Sequence, residues 1–166
     1  MKLVLFRHAT RSPYEIGDAS LNATGLSQAN ELPHLIAPQG PIPSPTHLFA
    51  SPKKRAKQTL QILSDSVGLP VIVDENLDER KNSETIQEFE TRVKAVFERV
   101  SKLESASTVF LCSHLDWLEA AATVWPTDLN QSSHSWGAGE YLIFKVEDGI
   151  CLSKGGGVVS PLRPGR

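Results

Sequence analysis

Residues 7–11, Arg-His-Ala-Thr-Arg, place two cations and an imidazole directly after a short apolar run, Leu-Val-Leu-Phe at 3–6. A neutral imidazole is a nucleophile and proton carrier, and a guanidinium is a planar donor that fits the oxygens of a phosphate. Read alone, Arg7 is a surface cation and His8 a satisfied turn histidine, because single-residue signals carry little weight. The weight comes from matching groups elsewhere. Lys53, Lys54 and Arg55 fall where a helix would begin, where the backbone already presents the positive end of its dipole. Three cations there cost stability unless an anion binds. Glu79 sits in an acidic loop, and His114 ends the apolar run 108–112.

The elements that must carry these residues follow from pattern. The run 3–6 reads as a buried parallel strand, and ligands of open α/β sheets collect at the carboxyl edge to which Arg7 and His8 are delivered. A polar loop over 12–22 leads to a helix from Gly25 to Leu32 or Ile36, with Thr24 as its N-cap and Leu26, Ala29, Leu32 and Leu35 on its apolar face. The capping box is incomplete, since Ser27 stands three residues on and Gln28 one residue late. Pro33 ends or kinks that helix, and Pro38, Pro41, Pro43 and Pro45 make a stiff connector. A strand over 47–50 precedes a helix capped by Ser51 with Pro52 at its first position and a core face of Ala56, Leu60 and Leu63. Strand 71–73 feeds the acidic loop 74–80. Asn82 or Ser83 caps a long helix to Leu103, buried through Ile86, Phe89, Val93, Val96, Phe97 and Val100, with its charges on a solvated face. Strand 108–112 leads into a helix ending near Pro126. Residues 140–146 and 150–152 read as a hairpin.

The expected fold class is α/β, a three-layer α/β/α sandwich with a mostly parallel sheet and a C-terminal antiparallel hairpin. Residues 1–154 are expected to form one domain, and 155–166 a flexible tail with little to bury. At 166 residues the chain is long enough for a real core. A net charge of −2 recruits neither nucleic acid nor an anionic membrane, so any anion preference is local. The apolar start is too short for a signal peptide and no stretch could span a bilayer. Cys112 and Cys151 lack metal-ligand spacing, and Cys112 reads as a buried thiol. Together these point to a cytoplasmic protein.

Arg7, Arg11, Arg55, His8 and His114 gathered at one sheet edge describe a pocket for a dianion such as phosphate. His34 and His47 read as structural or surface residues and His134 as a loop residue. The three tryptophans, Trp117, Trp125 and Trp136, read as packing, with Trp136 able to line a substrate mouth. Asp116 with His8 would allow a metal, against the repulsion of nearby guanidiniums.

The blocks together resemble the histidine phosphatase superfamily, which includes phosphoglycerate mutases and acid phosphatases. Residues 6–11 resemble its Arg-His-Gly signature, with Ala9 in place of Gly and Arg11 as in the acid-phosphatase form. Leu21, Gly25, Gln28 and Ala29 resemble its first helix entry, with Asn22 where Thr is usual. Residues 50–59 resemble its Ser-Ser-Pro-x-x-Arg-Ala-x-Gln-Thr block, residues 77–80 its Leu-Asn-Glu-Arg, and residues 110–114 its Val-Ser-His. In size the chain resembles the small phosphohistidine phosphatases. The resemblance implies a metal-independent phosphatase without a cofactor, hydrolysing phosphate monoesters or phosphohistidine through a covalent phosphohistidine on His8. The substrate would be a phosphorylated small molecule or phosphoprotein. Arg7, Arg11, Arg55 and His114 would hold the phosphate, His114 as a cation or hydrogen-bond donor. Glu79 would be the general acid, with Asp78 as its stand-in. The alternatives are a phosphoglycerate-type mutase, a non-catalytic phospho-ligand-binding protein and a metal hydrolase.

Overall fold

The computed structural model describes residues 1–129 and 134–161. Strands β1 (Lys2–Arg7), β2 (His47–Ala50), β3 (Val71–Val73), β4 (Thr108–Ser113), β5 (Glu140–Glu147) and β6 (Ile150–Val158) form one sheet in the order β3-β2-β4-β1-β5-β6. The first four pair in parallel, and β5 and β6 add an antiparallel hairpin beside β1. The α/β class with its C-terminal hairpin is therefore as expected.

Side-chain alternation separates two cores. Leu3 and Leu5 of β1 and Val109 and Leu111 of β4 join α3 (Ile86–Val100) and α4 (Leu115–Val124) on one face. Val4, Phe6, Phe110 and Cys112 join α2 (Lys54–Val67) and the region after α1 (Ala23–Glu31) on the other. A strand buried on both faces needs apolar side chains at every position, which is why β1 and β4 read as continuous runs. Trp117 and Trp125 meet edge to face at 5.5 Å between ring centres within the α3–α4 layer. The two cysteines are free and lie in opposite cores.

Local boundaries differ from the sequence expectation for identifiable reasons. Asn22, not Thr24, caps α1, because its Oδ1 accepts from the Gly25 amide. Leu26 is exposed, and a 3-10 turn over Leu32–Leu35 absorbs Pro33. Neither Asn82 nor Ser83 caps α3. Thr85 does, in a complete capping box with Glu88, and this leaves Ile86 exposed. The helix of Arg55 starts at Lys54 rather than Pro52, with Lys53 at its cap, and the Ser51 hydroxyl meets a histidine across the sheet edge. The first part of the expected tail at 155–166 is ordered into the sheet. Residues 155–158 belong to β6 and Val159 is buried, while residues 162–166 lie outside the described residues. Among the described residues no helix is long and apolar enough to cross a membrane.

One glycine has a steric duty. A Cβ at Gly25 would run into the Thr10 carbonyl, so the first turn of α1 approaches the loop after β1 more closely than any side chain allows. Gly25→Ala should destabilise the protein by about 2 kcal/mol through overpacking, read as a lower urea midpoint at unchanged slope. An unchanged midpoint would show that the loop yields without cost.

Candidate active site

The parallel register brings four strand ends level. Arg7 pairs with Ser113, and Ala50 with both Cys112 and Val73. The ladder runs one step past each strand, with His8 N donating to Ser113 O, Ser51 N to Cys112 O and Asp74 N to Ala50 O. His8, Ser51 and His114 thus emerge side by side at the carboxyl edge, where β4 is inserted between β1 and β2.

A cleft of about 420 Å³ opens there, lined by Arg7, His8, Arg11, Arg55, Glu79 and His114, together with Gly17, Leu115, Asp116 and Glu119. Every side chain expected from sequence to form an anion pocket reaches it. Asp78 does not line it; its Oδ1 accepts from the Glu79 amide.

His8 is buried, and its Nδ1 lies 2.7 Å from the Ala9 carbonyl. A carbonyl only accepts, so Nδ1 carries the proton and Nε2 holds a lone pair. Burial pushes the His8 pKa down to about 4; the Ala9 carbonyl opposes it as the next-largest influence, and Arg55, Arg7 and Arg11 add to the lowering. The ring is neutral at neutral pH.

Arg55 is 4% exposed and lies at the centre. Its Nε donates to His8 Nε2 at 3.2 Å, and its Nη2 is shared between Glu79 Oε2 at 2.9 Å and His114 Nδ1 at 3.2 Å. Because a guanidinium only donates, His114 Nδ1 accepts, and the His114 proton sits on Nε2, 2.7 Å from Ser51 Oγ. In this structure His114 is therefore neither a cation nor a donor into the cleft. Burial, then Arg55, His8, Lys53 and Arg7, push its pKa down to about 2.

The cations at the start of α2 have carboxylate partners from the loop after β3. Lys53 Nζ lies 3.8 Å from both Asp78 and Glu79. Arg7 gives Nη1 to the Trp136 carbonyl at 2.7 Å, and its Nε is buried without a partner among the described residues. Asp116 is committed elsewhere, accepting from the backbone amides of Arg80 and Trp117. His34 is exposed, His47 stacks on Phe49, and His134 lies 2.9 Å from Glu140, all outside the cleft.

Several positioning groups escape sequence reading. Thr59 Oγ1 accepts from the Ala9 amide and donates to the Arg55 carbonyl, tying the loop of His8 to the helix of Arg55. Gln28 Oε1 accepts from Thr10 N and Thr10 Oγ1, and its amide donates to the Val159 and Ala138 carbonyls. Arg92 belongs to no solvated face. It pairs with Glu84 at 2.8 Å and donates to the carbonyls of Asn76, Asp78 and Glu79. Ser113 Oγ holds the Leu77 carbonyl and Trp117 Nε1 the Asn76 carbonyl. The Gln28 and Thr59 positions were visible only as family-like residues, and Arg92 gave no signal beyond its charge.

Chemically the cleft offers a neutral imidazole with its lone pair inward, fixed guanidiniums, and one half-exposed carboxylate at hydrogen-bond distance from them. That set can bind an anion, attack it and exchange a proton.

Among curated protein sequences nothing matches the chain. Among solved structures, a candidate alpha-ribazole-5'-P phosphatase of Escherichia coli superposes with a TM-score of 0.79 at 17% identity, covering 98% of this chain and 100% of that one. A phosphoserine phosphatase of Entamoeba histolytica gives 0.72 at 14%, covering 95% and 97%. The protein histidine phosphatase SixA gives 0.71 at 15%, covering 96% and 97%. At such identities the likeness is one of fold. The sequence profile described as histidine phosphatase superfamily (branch 1) matches residues 3–84, the segment that carries Arg7, His8, Arg55 and Glu79. By that match, residues 3–84 belong to the histidine phosphatase superfamily, and the chain as a whole shares the fold of these phosphatases.

Proposed function

We propose that this protein is a phosphatase that hydrolyses phosphate monoesters by way of a phosphohistidine on His8. The observation that carries the reading is the His8 ring: Nδ1 pinned to the Ala9 carbonyl, Nε2 unprotonated, buried and facing a cleft of guanidiniums.

In this reading His8 Nε2 attacks phosphorus, the N–P bond forms as the ester P–O bond breaks, and the ester oxygen leaves with a proton from Glu79. Water, deprotonated by Glu79, then cleaves the N–P bond and releases phosphate. Arg7, Arg11 and Arg55 hold the non-bridging oxygens and offset the charge that spreads over them in the transition state. Glu79 is favoured over Asp78 because it lines the cleft, while Asp78 is buried and turned to the Glu79 amide. The substrate class is a phosphorylated small molecule or phosphoprotein. Need for an acid at the leaving group favours esters over phosphoramidates, whose nitrogen leaves more easily.

His8→Ala should abolish hydrolysis of an aryl phosphate measured in excess chelator, while inorganic phosphate still binds. Retained turnover would refute the covalent step. Glu79→Gln should lower kcat by about 10²-fold or more for an alkyl phosphate and far less for a nitrophenyl phosphate, the signature of a lost general acid. Equal losses would remove that role. The third prediction concerns protonation. A depressed pKa means that the free base persists as pH falls, so the His8 ring should stay neutral from pH 7 down to about 4. Nitrogen-15 chemical shifts of the ring read this directly, and a midpoint at the ordinary 6.5 would contradict the electrostatic picture.

A further inference from the structure

Arg55 occupies both imidazole lone pairs of the cleft. Its Nε faces His8 Nε2, and its Nη2 faces His114 Nδ1. An anion that reaches His8 must draw the Arg55 donors onto its own oxygens. This would leave His114 Nδ1 as a bare lone pair against an anionic oxygen, a repulsive contact in a buried place. Turning the ring offers no escape, because Nε2–H is held by Ser51 Oγ at 2.7 Å, and that hydroxyl is fully buried and also accepts from the Lys53 amide.

We propose that binding of a tetrahedral dianion and protonation of His114 at Nδ1 are a single linked event, and that Ser51 is the positioning residue that directs the proton there. This rests on reading the cleft as a phosphate site. A proton from solvent bonds to Nδ1, His114 becomes an imidazolium, and it then donates to the anion from Nδ1 and to Ser51 from Nε2. No covalent bond to the anion is made in this step.

The groups facing His114 fit such a change of sign. From the end of β1 come His8, with ring centres 5.3 Å apart, and Arg7. From the turn into α2 come Ser51, Lys53 and Arg55. From the loop after β3 come Asp78, 3.9 Å from Nε2, and Glu79, 4.0 Å from Nδ1. On its own side the neighbouring charge is Asp116, whose carboxylate is engaged by two backbone amides. Empty, the ring feels chiefly burial and cations. Filled, it touches a double negative charge while two carboxylates already stand near.

Sulfate is the probe, since it mimics the dianion and takes no proton near pH 6. Calorimetry at pH 6 in buffers of different ionisation enthalpy should show about one proton taken up per sulfate bound. Nitrogen-15 spectra should show His114 as the single Nε2–H tautomer without sulfate and doubly protonated with it. The uptake should persist in His8→Asn and vanish in His114→Gln. Ser51→Ala should show a mixture of His114 tautomers without sulfate and bind sulfate about tenfold more weakly, one missing hydrogen-bonded orientation being worth that order. Ser51→Thr should restore the single tautomer. Sulfate binding with no proton uptake by the wild-type protein, or a free His114 protonated at Nδ1, overturns this inference alone. No sulfate binding at all overturns the phosphate-site reading and this inference together.

Discussion

The Arg55 guanidinium is a buried cation held by one partly exposed carboxylate and two uncharged rings. Burying a charge in this way is costly, and a single carboxylate on a half-exposed arm offsets only part of the cost. The site therefore retains a positive potential that the rest of the molecule does not share, since the whole chain carries a net charge of −2. Position adds to it. Arg55 lies in the first turn of α2, where the helix dipole is itself positive. Burial chiefly, with this potential added to it, keeps both imidazoles neutral and leaves His8 with a lone pair. In the proposed reaction, anion affinity and nucleophile readiness both draw on that one buried charge.

That charge is useful only if the loop bearing His8 cannot drift. The loop is held through its backbone: Ala9 N by Thr59, Thr10 N by Gln28, Thr10 O by the Asn22 amide and His8 O by the Gly139 amide. These partners come from α1, α2 and the entry to β5, so the loop is fixed by elements on both sides of β1. Ala9 takes no left-handed conformation, and the close backbone approach in this loop falls to Gly25 against the Thr10 carbonyl.

Much of this was legible in the sequence, and the reasons are specific. The runs at 3–6 and 108–112 could be read as strands because burial on both faces leaves no room for polar residues, and the reactive residues stood at their ends. The charge pattern at 53–55 pointed to the cleft that Arg55 lines because it violates the ordinary preference at a helix start. Ser51 was misread for an equally specific reason. Ser-Pro before a helical pattern fits a cap, and only the register that sets Ala50 against Cys112 places its hydroxyl opposite His114. Arg92 was invisible because a charged residue on an amphipathic helix looks the same whether it meets water or a loop's carbonyls. Helix starts failed by two or three residues where several Asn, Ser and Thr competed, since each can satisfy an amide and only three-dimensional placement decides.

The acidic loop combines rigidity and freedom in a way suited to proton transfer. Its backbone is clamped from three directions: by Arg92 from α3, by Ser113 from the end of β4, and by Trp117 from α4. Asp78 is buried beneath it, holding the Glu79 amide. The Glu79 side chain remains 41% exposed, resting on Arg55 and near Lys53. A general acid must meet a leaving oxygen, and later a water, at slightly different points, so its carboxylate needs to swing while its Cα stays still. In the proposed reaction, an anion that claims Arg55 takes from Glu79 its strongest partner as the leaving group arrives. On that reading, the interaction that holds the site together is the one whose rupture frees Glu79 to act as the acid.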